Sequence, residues 1–181
     1  LDKYAKGCRT LENFIPLVQG GAQKRSGFRF VRDARSDARI IRFSFNTTDS
    51  YTLSFGPQTL AFHRNGAPVY FSTKNITGAT AANPVVITSN AHGFSNGHVV
   101  VIQGVAGMTE LNNRTFTVAN VTANTFELSG VNGTGYSAYT SGGTVSLLYI
   151  LTTPYVANDL AALQFAGQND VMYIASPAHP P

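Results

Sequence analysis

The chain has 181 residues, of which 43% are hydrophobic and only 12% are charged, and its formal net charge is +4. This apolar content supports a packed core and argues against a disordered chain. The one cysteine, Cys8, excludes an internal disulfide framework and a thiolate zinc site. No apolar run reaches about 18 residues, so we expect no membrane-spanning helix and no membrane partner.

The start of the chain lacks the strand pattern of its later parts. Before Gly21, the apolar residues around Phe14 and Leu17 predict a short helix or an irregular arm, which Pro16 keeps short. Beyond Gly21 the pattern changes to that of short strands.

Residues 28–71 predict a meander of antiparallel strands. Apolar and polar residues alternate in 40–45, with Phe43 and Phe45 on one face and Arg42 and Ser44 on the other. Alternation continues through 51–55 and 60–63. Asn65-Gly66 is a strong signal for a hairpin turn.

Composition changes near Lys74. From Asn75 to Leu147 the only charged residues are Glu110, Arg114 and Glu127. Short runs rich in β-branched and aromatic residues predict strands at 85–88, 99–102, 115–118, 125–128 and 144–147. We therefore predict two domains: a discontinuous β domain from 1–74 plus 148–181, and an inserted small β-barrel at 75–147.

One helix is expected after the insert. Asn158 suits the N-cap and Asp159 the first turn, and apolar residues through 166 predict a short amphipathic helix that ends at Gly167. A strand is predicted next, at 171–175. The predicted fold is mainly β: an antiparallel meander or sandwich with one short helix and an inserted small β-barrel.

Positive charge is concentrated in the first part of the chain. Residues 1–74 hold 12 Lys/Arg and 5 Asp/Glu, whereas residues 75–181 hold 1 and 4. Nucleic acid could bind such a cluster, but Asp33 and Asp37 are interleaved with it, which favours subunit salt bridges or a solvated face. The candidate basic interaction face consists of Lys24, Arg25, Arg29, Arg32, Arg35, Arg39 and Arg42.

Residue types that could act in catalysis or bind a metal are scattered along the chain. No nucleotide-binding, zinc-protease, hydrolase or redox motif is present. His92 and His98 flank a Gly-rich turn, where turn and edge-strand roles are favoured over metal binding. No spacing selects a pair of acids for hydrolysis. We therefore expect no enzymatic activity, no catalytic residues, no cofactor and no metal.

Two stretches together resemble a known family. The first runs through Gly7-Cys8-Arg9-Thr10 to Gly20-Gly21 and Arg29-Phe30-Val31. The second runs from Thr152-Thr153-Pro154-Tyr155 to Pro181. Both resemble the N-terminal region of short-tail bacteriophage nozzle, or tail tubular protein B-like, structural proteins, and related prophage proteins.

The middle part resembles a different family. The run from Asn83-Pro84-Val85 through His92-Gly93-Phe94 to Val145 is similar to the small β-barrel, or FCCH-type domain, of ubiquitin-activating enzymes, which phage proteins share. This likeness implies a fold and not ubiquitin chemistry, because the cysteine that such chemistry needs is not in this segment.

The tail resemblance implies a role in assembly. Such proteins form rings, commonly of six copies, that are stacked under the portal and adaptor and enclose the DNA path, with adaptor and fibre proteins as tail partners. We accordingly expect contacts with other copies of the chain and with these tail proteins, and non-specific contact with DNA in the channel as a further option. The location implied is the virion tail, reached from the host cytoplasm during assembly. Because full-length relatives are longer, we expect a fragment of a longer protein. The alternative is an adhesion module that binds a host glycan or receptor through the inserted barrel.

Overall fold

The computed structural model describes residues 12–18, 20–27, 30–32, 37–44, 50–168 and 170–179. The chain divides into two compact units, Leu1–Phe30 and Val31–Pro181. The described residues form strands in this order: β1 Phe14–Leu17, β2 Gly21–Lys24, β3 Arg39–Ser44, β4 Ser50–Gly56, β5 Thr59–Arg64, β6 Ala67–Pro68, β7 Tyr70–Asn75, β8 Gly78–Ala79, β9 Val86–Thr88, β10 Val99–Ala106, β11 Arg114–Ala119, β12 Thr125–Leu128, β13 Ser141–Leu148, β14 Ile150–Thr152, β15 Gln164–Gln168 and β16 Val171–Ala175.

The first unit contains a hairpin. β1 and β2 pair antiparallel from Phe14 opposite Lys24 to Leu17 opposite Gly21. The short helix or irregular arm expected before Gly21 is therefore wrong for the described residues of this stretch. Pro16 cannot donate a helical hydrogen bond, and Gly20 adopts a φ of 90° that suits the turn and not a helix.

The second unit contains a five-stranded antiparallel sheet in the order β14-β5-β4-β3, with β6 also paired to β5. Asn65 and Gly66 both have positive φ, 53° and 71°, as a tight hairpin turn between β5 and β6 requires. The turn predicted there is confirmed. One face of this sheet is apolar, and its buried residues Leu53, Phe55 and Leu60 pack against Leu160 and Leu163.

The predicted barrel is a closed sheet in the order β7-β13-β10-β11-β12-β9-β8. β7 and β8 are consecutive pieces of one extended segment, and they lie at opposite ends of this order. The Ile76 amide donates to Gly143 O at 2.9 Å and the Thr77 amide donates to Thr88 O at 2.9 Å, which continues both pairings. The sheet therefore closes on itself through segment 70–79, whose first part pairs with β13 and whose second part pairs with β9.

The barrel has a core of its own. Its fully buried side chains on strands come from β9 to β13, and they include Ile87, Ile102, Phe126, Leu128 and Val145. All the strands predicted in 85–147 are confirmed, although β10 and β13 extend further than expected. The closed sheet also includes β7, of which residues 70–74 were assigned from the sequence to the flanking part. The two-domain division itself stays a prediction.

The helix predicted from Asn158 to Ala166 is wrong. A single 3₁₀ turn covers Ala157–Asp159, with Val156 as its N-cap. Residues from Gln164 onward form β15, which pairs with β16 in a two-stranded antiparallel sheet. Pairing with β16 satisfies the backbone groups that a helix would have satisfied, so tertiary context overrides the local pattern.

The predicted fold class is confirmed as mainly β with antiparallel sheets. Helical structure among the described residues is limited to two 3₁₀ turns, Thr109–Leu111 and Ala157–Asp159. Among the described residues, there is no helix that could span a bilayer.

Candidate functional site

The basic residues singled out from the sequence occupy different places. Arg29 and Arg35 lie outside the described residues. Lys24 ends strand β2 in the first unit, and Arg25 comes directly after it, with its amide donating to Asn13 O at 2.9 Å. The remaining members, Arg32, Arg39 and Arg42, belong to the second unit.

Arg39 points toward the core side of β3 and holds the segment that covers the apolar face. Its Nη1 lies 2.8 Å from Leu160 O, 2.9 Å from Ala161 O and 2.6 Å from Leu163 O. The guanidinium carbon stands 5.0 Å from the centroid of the Phe165 ring. A planar guanidinium is suited to several carbonyl acceptors and to stacking on an aromatic ring at once. Arg39 is thus a structural clamp.

Arg42 lies on the opposite face of the same strand. Arg39 pairs with Phe55 and Arg42 with Thr52 across β4, so the two arginines alternate between the apolar and the polar face of the sheet. The structure therefore does not bring these two members of the basic set onto one surface. Their role toward DNA or protein stays a prediction.

Arg32 contacts His63 on the polar face, beside a groove of about 370 Å³. The Arg32 Nε–H donates to His63 Nε2 at 3.0 Å. The other ring nitrogen, Nδ1, lies 3.3 Å from Thr52 O. Because Nε2 accepts, the imidazole is neutral with its proton on Nδ1. Burial, and then the Arg32 charge, lower the pKa of His63 below its usual 6.5, against a smaller opposing effect of Thr52 O.

This arrangement predicts a pH dependence of stability. The folded state disfavours protonated His63, so the unfolded chain binds this proton more readily. The resulting stabilisation of the fold is fully present above about pH 6.5, and it is lost as the pH falls through the lowered pKa of His63 in the folded state. We expect the His63→Gln variant to show a smaller loss of unfolding free energy than the parent between about pH 7.5 and about pH 5. Urea unfolding at the two pH values measures this. Equal losses in the two proteins would contradict the neutral-His63 assignment.

The other candidate histidines serve turns of the barrel. His92 is buried, its Nδ1 accepts the Phe94 amide at 3.0 Å, and its ring contacts those of Phe94 and Phe126. His98 Nδ1 accepts the Ser95 amide at 3.1 Å. The turn roles favoured from the sequence agree with these bonds. The described residues contain no group of three or more potential metal ligands.

Two carboxylates also hold loops. Glu110 accepts hydrogen bonds from both the amide and the hydroxyl of Ser137, at 2.9 Å each, and the Ser137 amide bond lowers the pKa of this carboxyl. Asp159 accepts the Val156 amide and lies 3.0 Å from His179 Nε2, and the Val156 amide bond lowers its pKa. These four contacts explain both carboxylates as loop anchors.

Apolar surface is the feature that sequence reasoning missed. In the first unit, Phe14, Ile15, Leu17 and Val18 of the hairpin are all exposed, with Val18 fully so. Every described residue of β1 and β2 is exposed. The signal in the sequence is the apolar run itself, whose spacing fits one side of a helix equally well.

A second apolar surface borders β3. A groove of about 400 Å³ runs along this strand beside the β15–β16 hairpin. The apolar residues Ile41, Phe43, Phe165 and Met172 line it together with Arg42, Ser44 and Gly167. On the other face of β3, Ile40 is 66% exposed. The sequence signal for this feature is Ile40 itself. It is an apolar residue between Arg39 and Ile41, where strand alternation places it on the polar face.

Comparison with known proteins identifies the barrel alone. Residues 82–148, a little over a third of the chain, match the family model of the ubiquitin-activating enzyme E1 FCCH domain. No curated protein matches the chain. The FCCH-type resemblance seen in the sequence is confirmed for residues 82–148, which contain strands β9 to β13.

Proposed function

We propose that this chain is a structural protein of a bacteriophage tail, in the nozzle or tail-tube region, that works by binding other subunits in a ring around the DNA path. The observation that carries the protein-binding part is the exposed apolar hairpin β1–β2. The resemblance of residues 1–74 and 148–181 to tail nozzle proteins suggests the setting.

The hairpin argues for a protein partner on energetic grounds. An isolated two-stranded hairpin is marginally stable in water. Phe14, Ile15 and Leu17 are 48%, 51% and 45% exposed, so their burial against another subunit is favourable at about 25 cal/mol per Å² of apolar surface removed from water. Low overall charge also suits a surface that meets other subunits, since charged residues are depleted at interface cores.

The test is the position of the chain in assembled particles. We expect electron microscopy of virions to place the full-length protein in a closed ring on the tail axis, and mass spectrometry of purified particles to detect its peptides. A copy that projects singly from a fibre would overturn the ring proposal in favour of the adhesion module. Absence from particles would overturn the tail assignment altogether.

A further inference from the structure

The five-stranded sheet has two edges with complementary features. At one edge, Arg39–Arg42 of β3 pairs with β4, and no other described strand pairs with it. At the other edge, β14 pairs with β5, and again no second partner occurs among the described residues. Open strand edges present unpaired amide and carbonyl groups that favour pairing with a further strand.

The groove beside β3 specifies what such a strand must carry. A strand laid along β3 directs every second side chain toward the apolar face of the sheet, which is the side of Ile41 and Phe43. There the groove of about 400 Å³ offers apolar walls from Phe165 and Met172 as well. The incoming strand therefore needs an apolar side chain at its inward position and tolerates polar ones at its outward positions.

β14 meets this requirement. Leu151 pairs with Leu60, so it lies on the apolar face of the sheet. Its side chain is 42% exposed, whereas its neighbour Leu60 is buried. Its neighbours Ile150 and Thr152 point to the polar face, the face of Ile40. One strand pairing between β3 and β14 would thus cover two exposed apolar residues, Ile40 and Leu151, that lie at opposite edges of the sheet.

The strand directions agree as well. Each neighbouring pair in the order β14-β5-β4-β3 is antiparallel, so β14 and β3 run in opposite directions within one copy. A second copy placed head to tail keeps that relation and brings its β14 antiparallel to β3 of the first. We propose that β3 pairs with β14 of a second copy of this chain, with Ile41 opposite Leu151 and Ile40 opposite Thr152.

A two-fold pairing of β3 with itself fits less well. Centred on Arg42, it places two like charges directly opposite each other, which is destabilising. Centred on Ile41, it avoids that clash but leaves Leu151 at the far edge exposed in both copies. The head-to-tail contact covers both edges.

A head-to-tail contact repeats from copy to copy and closes into a ring when the rotation permits. The inference rests on the proposed ring function and adds its contact: a β-sheet continuous between neighbours. It predicts a heterologous interface in which each copy offers β3 to one neighbour and β14 to the other.

Engineered cysteines test the contact in the full-length protein with Cys8→Ser as background. Directly opposite residues on antiparallel strands have Cβ atoms about 4.5–5.5 Å apart, close to the span of a disulfide. We expect the Ile40→Cys, Thr152→Cys double variant, oxidised with oxidised glutathione, to give a ladder of covalent multimers on a non-reducing gel. Each single variant alone should stay monomeric on that gel, and a mixture of the two should give dimers only.

The control is the Ile40→Cys, Tyr173→Cys double variant. Tyr173 lies on β16 and is 60% exposed, but it is not part of the proposed contact. We expect no ladder from it. Dimers from Ile41→Cys alone or from Arg42→Cys alone would replace the head-to-tail contact with a two-fold one, because each of these residues faces its own copy in one of the two two-fold registers. Rings seen by electron microscopy without the ladder would overturn the strand pairing and leave the ring function standing. Neither rings nor a ladder would overturn both.

Discussion

Replacing Phe126 by alanine is expected to lower the free energy of unfolding of the barrel by about 3–5 kcal/mol. Phe126 lies on the four-residue strand β12 and is completely buried. Its ring centroid lies 5.1 Å from that of His92 and 5.5 Å from that of Phe94, both in edge-on contacts. Removal of the ring therefore loses aromatic contacts and leaves a cavity that the closed sheet cannot easily collapse to fill.

The matched control is Phe71→Ala. Phe71 is on β7 of the same closed sheet, but its side chain is 72% exposed. We expect this variant to stay within about 0.5 kcal/mol of the parent. Urea unfolding followed by hydrogen exchange of peptides from β10 and β11 reports on the barrel itself. If both variants unfold at the urea concentration of the parent, Phe126 is not a core residue and the closed-sheet description fails.

The barrel was the part of the fold most open to prediction. Its strands are short runs rich in β-branched and aromatic residues, and turn residues such as Asn113 and Gly97 stand between them with the positive φ values, 60° and 87°, that turns need. Local sequence and final structure agree there, so each strand could be recognised without its partners. The resemblance to the FCCH domain rests on this same stretch, residues 82–148.

The C-terminal part shows why the rest could not be predicted. Leu160 and Leu163 have helical spacing, yet both are buried against the five-stranded sheet from an irregular turn, and the residues after them pair with β16. The conformation of this segment depends on a sheet whose first strand lies about 120 residues earlier in the chain, since Arg39 lies 121 residues from Leu160. A pattern confined to one segment carries no information on such a partner.

Because the partners of Arg39 lie far along the chain, the sequence alone does not show that the arginines of the basic segment have different roles. In the sequence, Arg39 and Arg42 look like equal members of one cationic cluster. In the structure, Arg39 faces the apolar side and contacts carbonyl groups, whereas Arg42 is exposed on the polar side. A DNA-binding test of the basic face should therefore change Arg42 and Lys24, and should leave Arg39 intact because its loss alters folding.

Replacing Arg39 by methionine is expected to destabilise the second unit by roughly 2–4 kcal/mol, because hydrogen bonds to a charged group contribute about 1.5–3 kcal/mol each and are not additive. Methionine keeps part of the apolar stem of the side chain but has no donor. It leaves the carbonyls of Leu160 and Leu163 without the guanidinium, and these two residues are only 4% and 1% exposed, so water is a poor substitute.

Arg42→Met on the same strand separates this effect from loss of charge. Both variants remove one positive charge from β3, but Arg42 is exposed on the opposite face, so its replacement should change the free energy of unfolding by less than about 0.5 kcal/mol. Arg39→Lys should fall between the two, since an ammonium group keeps the charge but lacks the planar array of donors. Chemical unfolding of the three variants gives the order. Equal destabilisation by Arg39→Met and Arg42→Met would mean that charge, and not the carbonyl clamp, is what β3 requires of its arginines.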